Sequence, residues 1–384
     1  MKKIVLNVTA GTLLMLLIGI IYSYSIFRVE IEDIYAVSSV KSGLPYMLVL
    51  FFYSFFMFIG GRLYTRYNTF LVGMVGTVLI ISGFIFSSMT SSIEGLMITY
   101  GVLAGSGIGI LYGLPLRIVS QLNHKRIGLL TGVTLFGYGL SSLMFAPIIS
   151  NLIRTRSLNN TFLYIGIIYV FLITPLVYYL SKQDVIEKTK QKSTTQLFKE
   201  KKFYVVYTLF FIVTFIGLTF IGLTSTIGGE LVGLSQATTA VLVGVFAVFN
   251  GIGRPLYVLL NDKVGFRKSA TISFISIIIA ALSHYYIQNT TVYFISFVIF
   301  YLNFGGWLSI VPSATRELFG KREYSRNYGI MFTAYGFGAI VGTLSSGVLI
   351  ETVSLESIFL LMSCLSVVGL VILMTFFKEN QQLE

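Results

Sequence analysis

Charged residues are scarce in this chain: Asp, Glu, Lys and Arg make up 11% of its 384 residues. A soluble globular domain has roughly 25%. Hydrophobic residues make up 55% of the chain, more than one water-exposed domain can bury in its core. The composition therefore argues against a water-soluble globule and indicates a protein that is embedded in lipid.

Cysteine and histidine are also scarce. The single cysteine, Cys364, excludes a disulfide framework, and two histidines, His124 and His284, are too few for a metal cluster. The sequence has no phosphate-binding Gly-Lys-Ser/Thr loop and no nucleophile with a base nearby. We therefore predict that the protein is not an enzyme and that it holds no metal and no cofactor.

Long apolar runs, by contrast, are frequent. A helix needs about 20 apolar residues to cross a hydrocarbon core of about 30 Å. Twelve stretches of about this length occur, at residues 4–27, 43–60, 69–89, 95–119, 128–152, 160–181, 204–224, 237–260, 269–287, 291–315, 327–350 and 355–377. They predict an all-α membrane protein with 12 transmembrane helices.

The basic residues are distributed unevenly between the two predicted sides of the membrane. Of the 27 Lys and Arg residues, 21 lie on the side of the N-terminus and four on the other, namely Arg28, Lys41, Arg154 and Arg156. Because cytoplasmic loops are enriched in Lys and Arg, both termini are predicted to be cytoplasmic in a multi-pass protein of the plasma membrane. The net charge of +12 thus reflects topology, and the predicted partner is the lipid bilayer and not nucleic acid.

One long polar segment divides the twelve stretches into two sets of six. We predict an N-terminal six-helix bundle at residues 1–181, a cytoplasmic linker at 182–203 and a C-terminal six-helix bundle at 204–384. An internal repeat supports this division, because an offset of 197 residues relates Pro115 to Pro312, Gly132 to Gly329 and Tyr138 to Tyr335. Parallel repeats of this kind are typical of transporters whose two bundles rock about a site near the membrane midplane.

Two loops resemble the repeated loop signature of the major facilitator superfamily: residues 61–66 (GRLYTR), with Thr65 where the family usually has Asp, and residues 261–268 (NDKVGFRK). Within that superfamily the chain is similar to the oxalate/formate antiporter family. The similar segments are residues 19–27 (GIIYSYSIF), 101–117 (GVLAGSGIGILYGLPLR), 250–265 (NGIGRPLYVLLNDKVG) and 303–336. The resemblance implies the major facilitator fold and transport of a small anion.

Arg254 is the principal candidate for binding that anion. It lies about six residues inside the eighth stretch, with Asn250 and Tyr257 on the same helical face. An arginine inside the membrane usually faces a cavity or a partner, and no acidic residue lies deep in any stretch. The alternatives are that Arg254 extends to the cytoplasmic surface or pairs with Asp262. The resemblance favours substrate binding, because the family's substrate-binding arginine occupies this position.

The resemblance also implies an aromatic binding chamber. Carriers of dicarboxylates in this family have a lysine where this chain has Tyr335, so the site suits a monoanion better than oxalate. Tyr335 either donates a hydrogen bond to the substrate or is a packing aromatic. Leu308 replaces an aromatic residue of the chamber, and four residues match its aromatic positions: Tyr22, Tyr112, Phe304 and Phe332.

The cytoplasmic loops suggest a gate. Asp262, Lys263 and Arg267 are interpreted as a clamp between helices that breaks and re-forms during transport, together with Arg66 of the first loop copy. The alternative is that these residues only determine topology. Arg117, near the cytoplasmic end of the fourth stretch, is predicted to extend its side chain to the lipid headgroups.

Small residues recur at helical spacing in the fourth stretch. Glycine occupies every fourth position from Gly101 to Gly113, a spacing that lets helices approach closely in lipid. We predict that this face contacts a neighbouring helix.

The leading functional hypothesis is a secondary active or facilitative transporter of small monocarboxylates such as lactate, pyruvate or formate, working by alternating access as a monomer. Exchange or facilitated diffusion is the simpler mode, because no carboxylate suited to proton coupling lies in the membrane, while proton symport through Tyr335 or the substrate stays open. The alternatives are a drug or amphiphile exporter of the same superfamily and a membrane anion sensor that does not transport.

Overall fold

The computed structural model describes residues 2–122, 124, 126–185, 194–321, 323–352 and 354–377. Within these residues every regular element is helical. We number the main helices α1 to α12, and they cover Lys2–Tyr35, Ser39–Arg66, Thr69–Ser87, Ile93–Gln121, Ile127–Arg156, Leu158–Ser181, Lys201–Glu230, 236–264, 266–286, Thr290–Phe319, Tyr324–Thr352 and Leu355–Phe376. A short 3-10 helix covers Thr194–Lys199, and residues 186–193 of the predicted linker lie outside the described residues.

All twelve predicted apolar stretches overlap one of these helices, which confirms the all-α fold. Ten helical stretches of the described residues are long and apolar enough to cross a membrane, and one of them, Ala237–Tyr286, contains both α8 and α9. Large apolar side chains such as Leu71, Val78 and Phe171 are exposed on the surface. In a multi-pass membrane protein such a surface is covered by lipid.

The chain forms two compact units. Unit 1 comprises Met1–Thr189 and Gly320–Gly336, and unit 2 comprises Lys190–Phe319 and Phe337–Glu384. The first part of α11 therefore belongs to unit 1 and the remainder of that helix to unit 2.

Helix α1 continues beyond the predicted end of its apolar stretch at residue 27. It is α-helical over Lys2–Ile18 and Tyr24–Tyr35, and a 3-10 turn joins these two parts. Past the apolar stretch, Arg28 Nε lies 3.1 Å from Glu32 Oε1, an i,i+4 ion pair that supports helical structure in this more polar segment.

Most loops are short, and their polar residues begin the next helix. The side chains of seven described residues accept a hydrogen bond from a backbone N–H in the following first turn: Ser38, Asn68, Ser92, Ser157, Ser235, Asn289 and Ser354. Since the first N–H groups of a helix have no partner inside it, these caps help to fix where their own helices start.

Helix α4 contacts α2 through its glycine face. A Cβ on Gly105 would lie 2.8 Å from the Val49 carbonyl oxygen, and a Cβ on Gly109 would lie 2.3 Å from the Tyr53 carbonyl oxygen. The predicted close approach along this face is confirmed at these positions. Gly113 differs, because its nearest neighbour would be the Tyr64 ring at 3.7 Å. The N-terminal part of α4 also contains a π-helical stretch, Met97–Ala104.

Both copies of the predicted loop signature are largely helical. Residues 61–66 form the last turns of α2, and residues 261–268 continue from α8 into α9 with a break at Gly265 only. Gly265 has φ 81° and ψ 166°, in the left-handed region that favours glycine. One residue thus separates two membrane helices, where an eight-residue loop was expected.

Candidate functional site

Arg254 lies in α8 of unit 2, and its side chain is fully buried. Asn250 and Tyr257, one helical turn away on either side, are buried as well, as the spacing predicts. A guanidinium remains protonated in proteins, so burying it is costly unless hydrogen bonds or an opposite charge compensate. Arg254 therefore meets the burial expected of the predicted site residue, and its role stays a prediction.

Glycines bring α8 directly against α10 around Arg254. A Cβ on Gly305 would lie 1.9 Å from the Asn250 carbonyl oxygen, and a Cβ on Gly253 would lie 2.2 Å from the Leu302 carbonyl oxygen. Because real Cβ atoms do not approach backbone oxygens so closely, only glycine permits this contact. The Arg254 backbone is therefore held between two points of backbone-to-backbone packing.

Phe304 is the predicted chamber aromatic that belongs to unit 2. It lies on α10 and is 2% exposed. Its ring packs against α7, because a Cβ on Gly217 would lie 2.5 Å from Phe304 Cδ2. A narrow crevice adjoins this ring, lined by Val213, Ile216, Gly217, Ile277, Phe300, Asn303 and Phe304. Apart from Asn303, the side chains that line it are apolar.

The remaining predicted aromatic residues come together in unit 1. Tyr112 and Phe332 have ring centroids 5.4 Å apart, and Phe332 is stacked on Tyr335 at 4.8 Å. Tyr22 joins this group through Tyr138, whose ring centroid is 5.1 Å from that of Tyr22 and 5.3 Å from that of Tyr112. We call these residues, with Tyr53, the tyrosine cluster.

Tyr53 and Tyr138 were not predicted as site residues. Tyr53 contacts four rings of the cluster, with centroid distances of 5.1 Å to Tyr112, 5.1 Å to Phe332, 5.7 Å to Tyr335 and 6.0 Å to Tyr138. A signal for Tyr138 exists in the internal repeat, which relates it to Tyr335. At the same offset Tyr53 corresponds to Asn250, which is not aromatic, so the repeat gives no comparable signal for it.

The predicted gating residues lie near the ends of α2 and α8 and at the start of α9. Arg66, Asp262 and Lys263 are exposed. Arg267 Nη2 donates a hydrogen bond to the Met374 carbonyl oxygen of α12 at 3.3 Å. Arg267 therefore connects the start of α9 to the end of α12 within unit 2, and the clamp function stays a prediction.

Arg117 does not lie where the sequence predicted. Its side chain is 3% exposed, and its Nε lies 2.8 Å from Asp184 Oδ2, whose side chain is 7% exposed. Gln121 Nε2 donates to Asp184 Oδ1 at 2.7 Å, and the Thr69 hydroxyl also donates to this carboxylate. The prediction that Arg117 extends to the headgroups is wrong, because an acid at the start of the linker binds it inside unit 1.

The same cluster includes the first part of α11 and affects the ionisation of Asp184. Arg117 Nη1 donates to the Ser325 hydroxyl at 3.3 Å. Burial acts to raise the pKa of Asp184, but the Arg117 charge and the hydrogen bonds from Arg117, Thr69 and Gln121 outweigh it. The pKa of this carboxyl therefore lies below its ordinary value, and Asp184 is ionised at neutral pH.

In the part of the chain that the structure describes, ten helical stretches long and apolar enough to cross a membrane define a class, that of multi-pass membrane proteins. The family model described as Major Facilitator Superfamily matches residues 5–316 and again residues 232–383. The chain belongs to the Major Facilitator Superfamily; it is a transporter of a small molecule and not an enzyme.

Curated relatives and a solved structure agree with this family. The oxalate:formate antiporter of Oxalobacter formigenes is 27% identical over 344 residues, covering 87% of this chain and 82% of the relative. Monocarboxylate transporter 12 of Xenopus laevis is 22% identical, covering 93% and 86%. The proton:xylose symporter XylE superposes with a TM-score of 0.78 at 13% identity over 98% of this chain and 96% of XylE, which shows the shared fold.

Proposed function

We propose that the protein transports small organic anions of the monocarboxylate class by alternating access, with Arg254 as the group that binds the carboxylate. The observation that supports this most directly is the complete burial of Arg254 in a membrane helix. A guanidinium presents two parallel N–H donors that match the two oxygens of a carboxylate. Similarity to an oxalate:formate antiporter and to a monocarboxylate transporter favours the same substrate class.

The tyrosine cluster favours a monoanion. Tyrosine is neutral at physiological pH and offers O–H donors without charge. Tyr335 and Phe332 are fully buried within this cluster, so the position where a dicarboxylate carrier of the resembling family has a lysine is here uncharged. We propose Tyr22, Tyr112, Phe304, Phe332, Tyr335 and Asn250 as further substrate-binding residues.

The remaining features of the proposal follow from the sequence. The two bundles comprise residues 1–181 and 204–384, joined by the linker at 182–203. The protein is a monomer in the plasma membrane with cytoplasmic termini. Asp262, Lys263, Arg267 and Arg66 act in the cytoplasmic gate. Transport is exchange or facilitated diffusion, with proton symport through Tyr335 or the substrate as the alternative.

The test is uptake of radiolabelled lactate, pyruvate, formate and oxalate into proteoliposomes. Arg254→Gln keeps hydrogen-bonding capacity but removes the charge, so we expect uptake of the preferred monocarboxylate to fall at least about tenfold, a loss of roughly 1.4 kcal/mol or more of binding. Arg154→Gln is the matched control, since Arg154 is exposed at the end of α5, and it should transport like wild type. Equal uptake by Arg254→Gln and wild type would show that the anchor is elsewhere.

A binding measurement separates the alternatives. Short carboxylates should raise the apparent melting temperature of the wild type, since a ligand that binds the folded state stabilises it. Binding without uptake would instead favour the anion sensor.

A further inference from the structure

We infer that Tyr257 and Asn303 form a hydrogen-bonded lock between α8 and α10 that positions Arg254 for the anion. The inference rests on the proposed function, because it assigns a positioning role relative to the proposed anchor. Neither residue is proposed to touch the substrate.

The lock is a buried polar network in unit 2. The Tyr257 hydroxyl donates to Asn303 Oδ1 at 2.5 Å, while Asn303 Nδ2 donates to the Ser276 hydroxyl at 3.0 Å and to the Ile299 carbonyl oxygen at 2.8 Å. Both N–H groups and the oxygen of the amide therefore have partners. The network joins α8, α9 and α10 through a single side chain.

The surrounding helix surfaces explain why such a lock is needed. Gly253, Gly305 and Gly306 form the contact between α8 and α10, and a Cβ on Gly306 would lie 2.4 Å from the Tyr257 ring. Contacts made by glycines lack interlocking side chains, so they fix the distance between two helices better than their register along the axis. A directional hydrogen bond supplies the register that the glycines do not.

Arg254 lies one helical turn from Tyr257 on the same α8 face. A shift of α8 along α10 displaces both residues together, because the helix moves as a rigid element. Holding Tyr257 on Asn303 therefore holds the Arg254 backbone at one depth. Errors of about 1 Å in the placement of a binding group are enough to weaken its interaction with a substrate substantially.

A Tyr257 hydrogen bond that only stabilised the fold would affect transport differently, and unit 2 contains a matched control for this alternative. The buried hydroxyl of Tyr301 is 2.9 Å from that of Thr224, so Tyr301→Phe also removes one buried phenolic hydrogen bond. If the Tyr257 bond only stabilises the fold, Tyr257→Phe and Tyr301→Phe should behave alike. If it positions Arg254, only Tyr257→Phe should weaken the interaction with the anion.

The experiment measures KM and Vmax for radiolabelled pyruvate and formate in proteoliposomes, together with the apparent melting temperature of each purified variant. We expect Tyr257→Phe to raise KM about five- to tenfold with Vmax within about twofold, and Tyr301→Phe to leave KM unchanged. Asn303→Leu, which removes the acceptor at similar volume, should raise KM equally, and the double variant with Tyr257→Phe should be no worse than Asn303→Leu alone.

The outcomes distinguish this inference from the proposed function. Equal KM values for Tyr257→Phe and Tyr301→Phe, with Arg254→Gln defective, would overturn the lock and leave the anchor intact. Normal transport by Arg254→Gln would overturn both. Additive increases of KM in the double variant would also overturn the lock, since the two side chains would then act separately.

Discussion

At the scale of single residues, Arg117 and Arg254 present the same pattern in the sequence, one arginine inside an apolar stretch. In the structure Arg117 is bound by Asp184, an acid 67 residues later in the chain. Nothing local to either arginine reports such a partner. Burial of Arg117 was not predicted, since side-chain length and distance to a span end only indicate that an arginine is able to reach the surface.

Removing Asp184 should destabilise unit 1. Asp184→Ala leaves the buried Arg117 charge without its carboxylate, and breaking a buried ion pair in this way typically costs about 3–5 kcal/mol. We therefore expect a clear drop in the apparent melting temperature of the purified protein in detergent. The exposed pair of Lys41 and Glu94, 3.1 Å apart, provides the control, and Glu94→Gln should leave the melting temperature unchanged.

The pH dependence of the stability of Asp184→Asn tests whether Asp184 is ionised in the folded protein. Because the pKa of Asp184 is lowered in the folded state, its stabilisation is complete above the unfolded pKa of about 3.9 and is lost as the pH falls through the lower folded value. The wild type should thus be more stable than Asp184→Asn at neutral pH, and the difference should shrink at acidic pH. A difference that is constant with pH would contradict an ionised Asp184.

The aromatic residues show how far a candidate site is predictable. Tyr22, Tyr112, Phe332 and Tyr335 came from resemblance, and they lie in one cluster in unit 1. Tyr53, which contacts most of them, has no signal because one tyrosine among 24 is indistinguishable without knowing which helix faces meet. The pattern of apolar residues predicts that a helix is present, but which faces of two helices meet depends on tertiary packing.

At the scale of elements, the apolar stretches predicted the helices well and their ends poorly. Hydropathy reports which residues tolerate lipid, whereas helix ends depend on caps and on polar side-chain pairs. Ser38 and Asn68 begin α2 and α3 through caps, and the pair of Arg28 and Glu32 extends α1 to Tyr35. The polar segment around Asp262 also stays helical, because a charged sequence is no obstacle to a helix once it leaves the hydrocarbon.

Two glycines of α4 should respond oppositely to substitution. Gly109→Ala places a Cβ 2.3 Å from the Tyr53 carbonyl oxygen, so we expect α2 and α4 to separate and stability to fall by about 1–3 kcal/mol. Gly113→Ala meets only the Tyr64 ring at 3.7 Å. Since alanine favours a helix over glycine by up to about 1 kcal/mol, this variant should be neutral or more stable.

The measurement is the apparent melting temperature of both variants in the same detergent. Gly109→Ala should also reduce transport. The new Cβ would displace the backbone carbonyl group of Tyr53, and Tyr53 belongs to the tyrosine cluster. Equal melting temperatures for the two variants would contradict the close contact between α2 and α4.

At the scale of the whole molecule, the internal repeat and the compact units divide the chain differently. The repeat assigns all of α11 to the second half, whereas Gly320–Gly336 groups with unit 1. Ser54 Oγ donates to the Phe332 carbonyl oxygen at 2.8 Å, and a Cβ on Gly336 would lie 2.5 Å from Ser54 Oγ. An internal repeat shows which segments correspond in sequence. Which segments pack together depends on their contacts, and these contacts cannot be inferred from the repeat.

The orientation of the chain in the membrane is a prediction from charge, and the single cysteine makes it directly testable. In a Cys364→Ser background, a cysteine replacing an exposed residue reports the side on which it lies by its reaction with a membrane-impermeant maleimide. Asn159→Cys lies next to the outer cations Arg154 and Arg156, and Lys268→Cys lies in the turn after Gly265. We expect intact cells to label Asn159→Cys and to leave Lys268→Cys unlabelled until the membrane is permeabilised.

The physical reason is the excess of 21 cations over four on one side of the membrane, because basic loops are retained in the cytoplasm. Labelling of the Cys364→Ser parent measures background and should be negligible. Labelling of Lys268→Cys but not Asn159→Cys in intact cells would reverse the orientation, and it would place the cluster of Arg117 and Asp184 on the outer side. The proposed cytoplasmic gate therefore depends on this outcome more than on any single contact.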